Sequence, residues 1–206
     1  MEILKRLFIA GFIFISLTSV AQDNNQIILK AFSQSLTYEY KGDYTNAIKE
    51  IVTIYTADSY EQNVRLGWLN YEAGKFTESV SYYEKALALK PMSEEAHLGI
   101  VYPASAIGNW DQVLAHYTKI LANNPANTTV NYKVGLIYYE RKDYTKAYSY
   151  FEKVVNLYPF GYDALLMYAW TNFKLNKTRE AKVLFNKVLM LSPNDTSALE
   201  GLGLLK

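Results

Sequence analysis

Residues Gly74–Pro91 read GKFTESVSYYEKALALKP, and residues Lys142–Pro159 read KDYTKAYSYFEKVVNLYP. A turn, an aromatic, a threonine, an amphipathic run and a proline return in the same order 68 positions later. Sixty-eight is twice 34, and four prolines, Pro91, Pro125, Pro159 and Pro193, stand 34 residues apart. A fixed period between about 20 and 50 residues means stacked structural units, each burying its apolar face on the next.

Aligned on these prolines, the chain divides into repeats 60–93, 94–127, 128–161 and 162–195. Upstream, YKGDYTNAIKEI (Tyr40–Ile51) matches the turn and second half of the pattern, which predicts a degenerate first repeat at 28–59. Downstream, residues 196–206 resemble the first helix of a further repeat and are expected to cap the array. Within a repeat, LGWLNYEAGK has apolar residues at helical spacing and stops at Gly74. Thr77 is then placed to cap a second helix with its hydroxyl, and Thr45, Asp111 and Thr145 occupy the same slot. The run SVSYYEKALAL ends at Pro91, which cannot continue a helix. Each repeat is therefore an antiparallel helical hairpin, helix A followed by helix B.

This pattern resembles the tetratricopeptide repeat, a 34-residue helix–turn–helix, over residues 28–195. The Leu-Gly pair of that family stands here as Leu66-Gly67 and Val134-Gly135, with Ala169 and Ser35 as small stand-ins. Its helix-A tyrosine is matched by Tyr38 and Tyr138. The small residue of helix B is matched by Ala47, Ser79, Ala147 and Ala181, and the following aromatic by Tyr83, Tyr117, Phe151 and Phe185. The resemblance implies an all-α fold, a right-handed superhelical stack of hairpins. The third repeat departs from the pattern: Val101, Ala104 and Val113 replace the small residue, the tyrosine and the helix-B alanine, and Pro103 lies inside helix A. A mid-helix proline loses a hydrogen bond and crowds the carbonyl four residues back, so a local bend is expected, eased by Gly99.

The N-terminus reads as an export signal. Lys5 and Arg6 precede the apolar run Leu7–Leu17, and Ser19-Val20-Ala21 places small residues before a junction with Gln22. The apolar stretch to Val20 is 14 residues, short of the roughly 20 that span a bilayer. Residues 1–21 are thus expected to be a cleaved signal peptide and 22–27 a short linker. Cysteine is absent, which removes disulfides, thiolate metal sites and a lipoprotein anchor. Taking Lys5 and Arg6 from 21 basic residues and Glu2 from 20 acidic ones leaves 19 of each. A neutral chain with no basic block argues against nucleic acid and against an anionic membrane surface.

No pattern points to chemistry. His97 and His116 stand apart, neither in a metal-ligand spacing, and both read as structural or surface residues. There is no nucleophile elbow, phosphate loop or dinucleotide fingerprint, so no catalytic, cofactor or metal residue is assigned. The N-x-T triplets at Asn127, Asn176 and Asn194 read as turn and cap chemistry.

What remains is surface. In the tetratricopeptide family one face of helix A lines a concave groove, and the matching positions carry Trp68, Tyr71, Tyr102, Tyr132, Tyr139, Trp170 and Phe173. Chaperone-docking members hold a C-terminal carboxylate with Lys, Asn and Arg there, and those residues are missing. An aromatic stripe suits a peptide with apolar anchors, since Trp and Tyr dominate binding hot spots. The expectation is a non-catalytic adaptor in the periplasm or envelope of a Gram-negative bacterium, binding a peptide or protein segment. The alternatives are a carbohydrate- or peptidoglycan-binding module, or an accessory subunit of an envelope enzyme or outer-membrane assembly. Leu199, Leu202 and Leu205 make the last helix apolar and the C-terminal end a candidate for self-association.

Overall fold

The computed structural model describes residues 24–205. The expected signal peptide lies outside the described residues. Among those described there are eleven helices and no strand. Helix α1 covers residues 24–40, and α2 is Tyr44–Val52. The A helices that follow are α3 (Tyr60–Glu72), α5 (Glu94–Ala106), α7 (Thr128–Glu140), α9 (Tyr162–Lys174) and α11 (Thr196–Leu204). The B helices are α4 (Phe76–Leu89), α6 (Trp110–Asn123), α8 (Tyr144–Leu157) and α10 (Thr178–Leu191). From α3 onward every A helix starts 34 residues after the last, in step with the prolines.

Two local expectations are corrected. Residues 24–27, read as linker, are helical and continuous with the rest of α1, because Asn-Asn-Gln-Ile contains neither Gly nor Pro to stop a helix. The B-helix caps also lie two residues before the Thr77 slot. Asp43, Asn109 and Asp143 accept the backbone N–H of Asn46, Gln112 and Lys146, while Lys75 and Lys177 hold the cap position without a side-chain bond. The threonines lie inside the first turn, because the backbone turns sharply at the residue before the cap. That residue has positive φ in five hairpins: Gly42, Gly74, Gly108, Lys142 and Asn176.

Helix α5 runs without a break through Pro103, which is buried. The carbonyl of Pro103 still accepts the N–H of Ile107 at 3.1 Å, and the Ser105 hydroxyl bonds back to Val101.

The chain falls into two compact units, one ending at Ile107 and the other beginning at Gly108. The division lies in the turn of the third repeat, the one that departs from the pattern. In the first unit, Ala47, Ile51, Leu66 and Leu69 form one cluster, and Tyr60, Tyr83, Ala86, Ala96 and Ile100 another. In the second unit the core runs from Val154 and Leu165 through Ala169, Phe185 and Val188 to Ala198. These apolar residues recur at helical spacing, and their removal from water is the main force that holds hairpin to hairpin.

The position-four residue of helix A ties each hairpin to the turn before it. Asn63 donates to the carbonyls of Ala57 and Ser59, and Asn131 to those of Pro125 and Asn127. His97 fills the same slot, buried, with Nε2 3.0 Å from the carbonyl of Pro91. The sequence reading of His97 as structural fits this geometry.

Candidate functional site

The seven aromatics of helix A do not form one uniform set. In the first unit, α3 carries Trp68 and Tyr71, and the neighbouring α5 carries Tyr102. The Trp68 and Tyr71 rings lie 5.8 Å apart, and Tyr71 and Tyr102 5.6 Å apart. The planes are tilted by 42° and 43°, so the rings make an undulating surface across two helices. Trp68 and Tyr71 are half-buried and Tyr102 is 53% exposed. One edge of Trp68 is fixed: its indole N–H donates to Glu39 Oε1 at 2.6 Å, and the other Glu39 oxygen pairs with Arg65 at 2.5 Å. Arg65 reaches on to the Ser35 hydroxyl. Phe76 closes the far side against Tyr71 at 5.9 Å.

In the second unit the four remaining aromatics work largely in packing. Trp170 donates to the Ser197 hydroxyl at 2.8 Å and meets Phe185 and Phe173 edge to face at 5.1 and 5.5 Å. That contact fastens α9 to α11. Tyr132 lies against Phe151 at 5.8 Å and joins the core, and Tyr139 meets Tyr144 edge-on at 5.3 Å. Burial raises the phenol pKa of both Tyr132 and Tyr139, the mark of a ring partly withdrawn from water. Phe173 also lines an open cleft of about 460 Å³ together with Lys174, Asn176, Thr178, Leu204 and Leu205.

Sequence reasoning missed a second use of tyrosine. Tyr138 and Tyr150 stack at 5.7 Å with 11° between planes, Lys146 lies over Tyr138 and Lys153 over Tyr150. Tyr148 and Tyr168 lie 5.0 Å apart, both donate to Glu152 Oε1, and Lys177 sits 3.7 Å from the Tyr148 ring centre. In the first unit Lys85 lies over both Tyr55 and Tyr82. Such cation–π contacts contribute roughly 0.5–1 kcal/mol each where exposed. The signal available in the sequence was the count of 19 tyrosines, more than one helix face uses.

Among the described residues no group of three or more His, Asp or Glu side chains is placed to hold a metal ion. Among them, too, no helix is long and apolar enough to cross a membrane.

Models described as "Tetratricopeptide repeat" match residues 63–91, 104–162 and 138–203. The chain is a tetratricopeptide-repeat protein. A crystal structure of a tetratricopeptide repeat protein from Parabacteroides merdae superposes with a TM-score of 0.74 at 22% identity, over 87% of this chain and 72% of that one. MamA from Desulfovibrio magneticus superposes with a TM-score of 0.68 at 19% identity, over 82% and 97%. Both likenesses bear on the fold, and the hairpins here are those of a tetratricopeptide α-solenoid. A curated relative, the photosystem I assembly protein Ycf3 of Prochlorococcus marinus, is 27% identical over 58% of this chain and 81% of its own. Tetratricopeptide repeats are protein–protein interaction modules, generally non-catalytic, and their presence here implies an interaction scaffold.

Proposed function

We propose that the protein is a non-catalytic adaptor of the bacterial cell envelope that holds an extended or helical segment of another protein against α3 and α5. The observation that carries this reading is the unbroken chain of ring contacts from Trp68 through Tyr71 to Tyr102. Tilted rings present both faces and edges against which apolar side chains can pack. Glu39, held by Arg65, fixes the Trp68 ring in advance, which lowers the ordering cost of binding. Burying one apolar anchor there contributes roughly 1.5–3 kcal/mol, so several anchors together are needed to outweigh the cost of association. The envelope location rests on the signal-like residues 1–21. The relative named as an assembly protein is a precedent for a chain of this class acting in assembly.

The test places a photo-crosslinking residue at position 102 in the source organism and, as a control, at the exposed position 78 of α4. A single protein crosslinked from 102 and not from 78, and lost in a Tyr71→Ala variant that stays folded by circular dichroism, supports the reading. Equal crosslinking from both positions refutes it. Protection of Trp68 fluorescence by soluble glycan fragments, with no protein crosslinked, turns the assignment to a carbohydrate ligand. An intact N-terminus on protein from the soluble cytoplasm removes the envelope location.

A further inference from the structure

The repeat supplies its own comparison for the water-facing side of each B helix. In α10 the buried residues are Ala181, Leu184, Phe185 and Val188. At about 100° per residue, the line opposite them runs through Arg179, Val183, Asn186 and Met190, and all four are exposed. The same repeat positions hold Thr77, Ser81, Glu84 and Ala88 in α4, Asp111, Ala115, Thr118 and Ala122 in α6, and Thr145, Ser149, Glu152 and Asn156 in α8. Those three lines are built of short side chains with one carboxylate each. The α10 line has no carboxylate, begins with arginine, and leaves Val183 56% and Met190 71% exposed. A local pattern broken without a packing gain marks a surface kept for contact.

The charge around this line has one sign. Lys182 and Lys187 flank it, one on each side, and residues 174–187 carry five basic side chains against one acidic. That acid, Glu180, follows Arg179 and so stands about 100° round the helix, off the line. Among the described residues Arg179, Lys182 and Lys187 form no ion pair. The other carboxylates of the second unit are placed elsewhere. Asp111 pairs with Arg141, Asp143 with Lys146, and Glu152 accepts two tyrosines, while Glu140, Asp163, Asp195 and Glu200 belong to A helices or their caps. The neutrality of the whole chain is therefore an average. Residues 24–107 carry seven basic and ten acidic side chains, and residues 108–206 carry twelve and eight.

We propose that α10 lies along an anionic lipid surface, with Arg179, Lys182 and Lys187 on the lipid phosphates and Val183 and Met190 between the headgroups. Basic side chains are drawn to such a surface, and their long stems stay on apolar groups while the charge reaches water. An apolar side chain that projects from a rounded helix face needs a matching pocket in a protein partner. A bilayer yields between its headgroups wherever it is met. An exposed face that mixes apolar and basic residues without an acid thus fits lipid better than an acidic protein. The contact is peripheral, since no described helix is long and apolar enough to cross a membrane. It does not rest on the α3–α5 groove reading, which concerns the other unit.

The experiment measures co-sedimentation of protein, purified after expression of the full chain, with sucrose-loaded vesicles. One set is phosphatidylglycerol and phosphatidylcholine at about three to seven, the other phosphatidylcholine alone. Wild type is expected to bind the first set, to be released by salt, and to leave the second in solution. One cation near an anionic surface is worth about fivefold in binding, so Arg179→Gln with Lys182→Gln is expected to weaken it about 25-fold. Lys30→Gln with Lys49→Gln removes the same charge from exposed positions of the first unit and is expected to change it less than about twofold. Val183→Ser with Met190→Ser is expected to weaken it several-fold, and circular dichroism confirms the fold of each variant. No binding to the anionic vesicles, or equal binding to both sets, overturns the proposal. So does an equal loss in the two charge variants, or release by soluble polyglutamate at the charge concentration of the vesicles, which would mark an acidic protein as the partner.

Discussion

Gly99 of α5 lies flat against the ring of Tyr83 of α4: a β-carbon on Gly99 would stand 2.2 Å from Cε1 of that ring and 2.4 Å from Cζ. Gly67 of α3 faces the same ring from the other side, with its virtual β-carbon 2.9 Å away. The helix-B aromatic is thus clamped between the A helix of its own hairpin and that of the next. Gly201 and Phe185 repeat the arrangement in the second unit, at 2.3 Å. Gly99→Ala is therefore expected to destabilise the protein by about 1–3 kcal/mol, the range for overpacking a filled core. Chemical denaturation checks the size. Pairing Gly99→Ala with Tyr83→Leu in a double-mutant cycle is expected to be non-additive, because the smaller side chain leaves room for the methyl group. A Gly99→Ala variant as stable as wild type would contradict the clamp.

Glu39 holds two partners at once, the Trp68 indole and the Arg65 guanidinium, and all three side chains are largely withdrawn from solvent. Glu39→Ala leaves a half-buried cation without its counter-charge, held only by the Ser35 hydroxyl, and an indole N–H without its acceptor. It is expected to cost about 1–3 kcal/mol and to loosen the Trp68 ring, read as higher acrylamide quenching of fluorescence. The cost tests the fold, whereas the quenching tests the preorganisation of the proposed groove. Unchanged quenching would show that packing, not Glu39, positions the ring.

Much of this arrangement was legible because the period is a physical constraint. Prolines at fixed spacing stop each B helix, and small residues at Gly67, Gly135 and Ala169 mark where helices approach closely. The role of Gly99 was not legible. It stands at a position filled by Arg65, Lys133 and Met167 in three other repeats and by glycine again only in the capping helix, at Gly201, so the repeat pattern did not mark it as a place for a ring. Sequence reading tied Gly99 to Pro103, four residues on, while its contact is with a different helix. The aromatic stripe was only partly legible for the same reason. Trp68 and Trp170 hold the same repeat position, yet one faces Glu39 and the other Ser197. What lies opposite a helix-A residue depends on the hairpin packed beside it, and the period carries no such information. The caps were missed because threonine at a turn was ranked above the aspartate two residues earlier.

Lys142 occupies the turn slot that glycine fills at Gly42, Gly74 and Gly108, with φ of 60°. A side chain in this left-handed region brings its β-carbon close to the following carbonyl, at a cost of about 1–2 kcal/mol. Glycine avoids that clash but gives the unfolded chain more freedom, a partial offset. Lys142→Gly is expected to raise stability by about 0.5–1 kcal/mol, read as a higher midpoint in urea with an unchanged slope. Lys142→Val, branched at the β-carbon, is expected to lower it. Equal midpoints for the two variants would mean that the turn relaxes around either residue.

Several phenols are held neutral by the fold. Burial raises the pKa of Tyr83 and Tyr168 far above the ordinary value, and it raises those of Tyr132, Tyr139 and Tyr150 by less. A raised phenol pKa means that the folded protein keeps protons which the unfolded chain has already lost. Where the native state binds more protons, stability falls as pH rises. The contribution is complete below the unfolded value of about 10 and is lost as pH climbs above it. The protein is therefore expected to unfold cooperatively in alkali, with a burst of phenolate absorbance that coincides with the loss of helical circular dichroism. Tyr83→Phe removes the largest single source in the first unit and Tyr168→Phe that in the second, so each is expected to move the alkaline midpoint to higher pH. Phenolate absorbance that rises smoothly near pH 10 while the helices persist would mean that these rings reach solvent in the folded state.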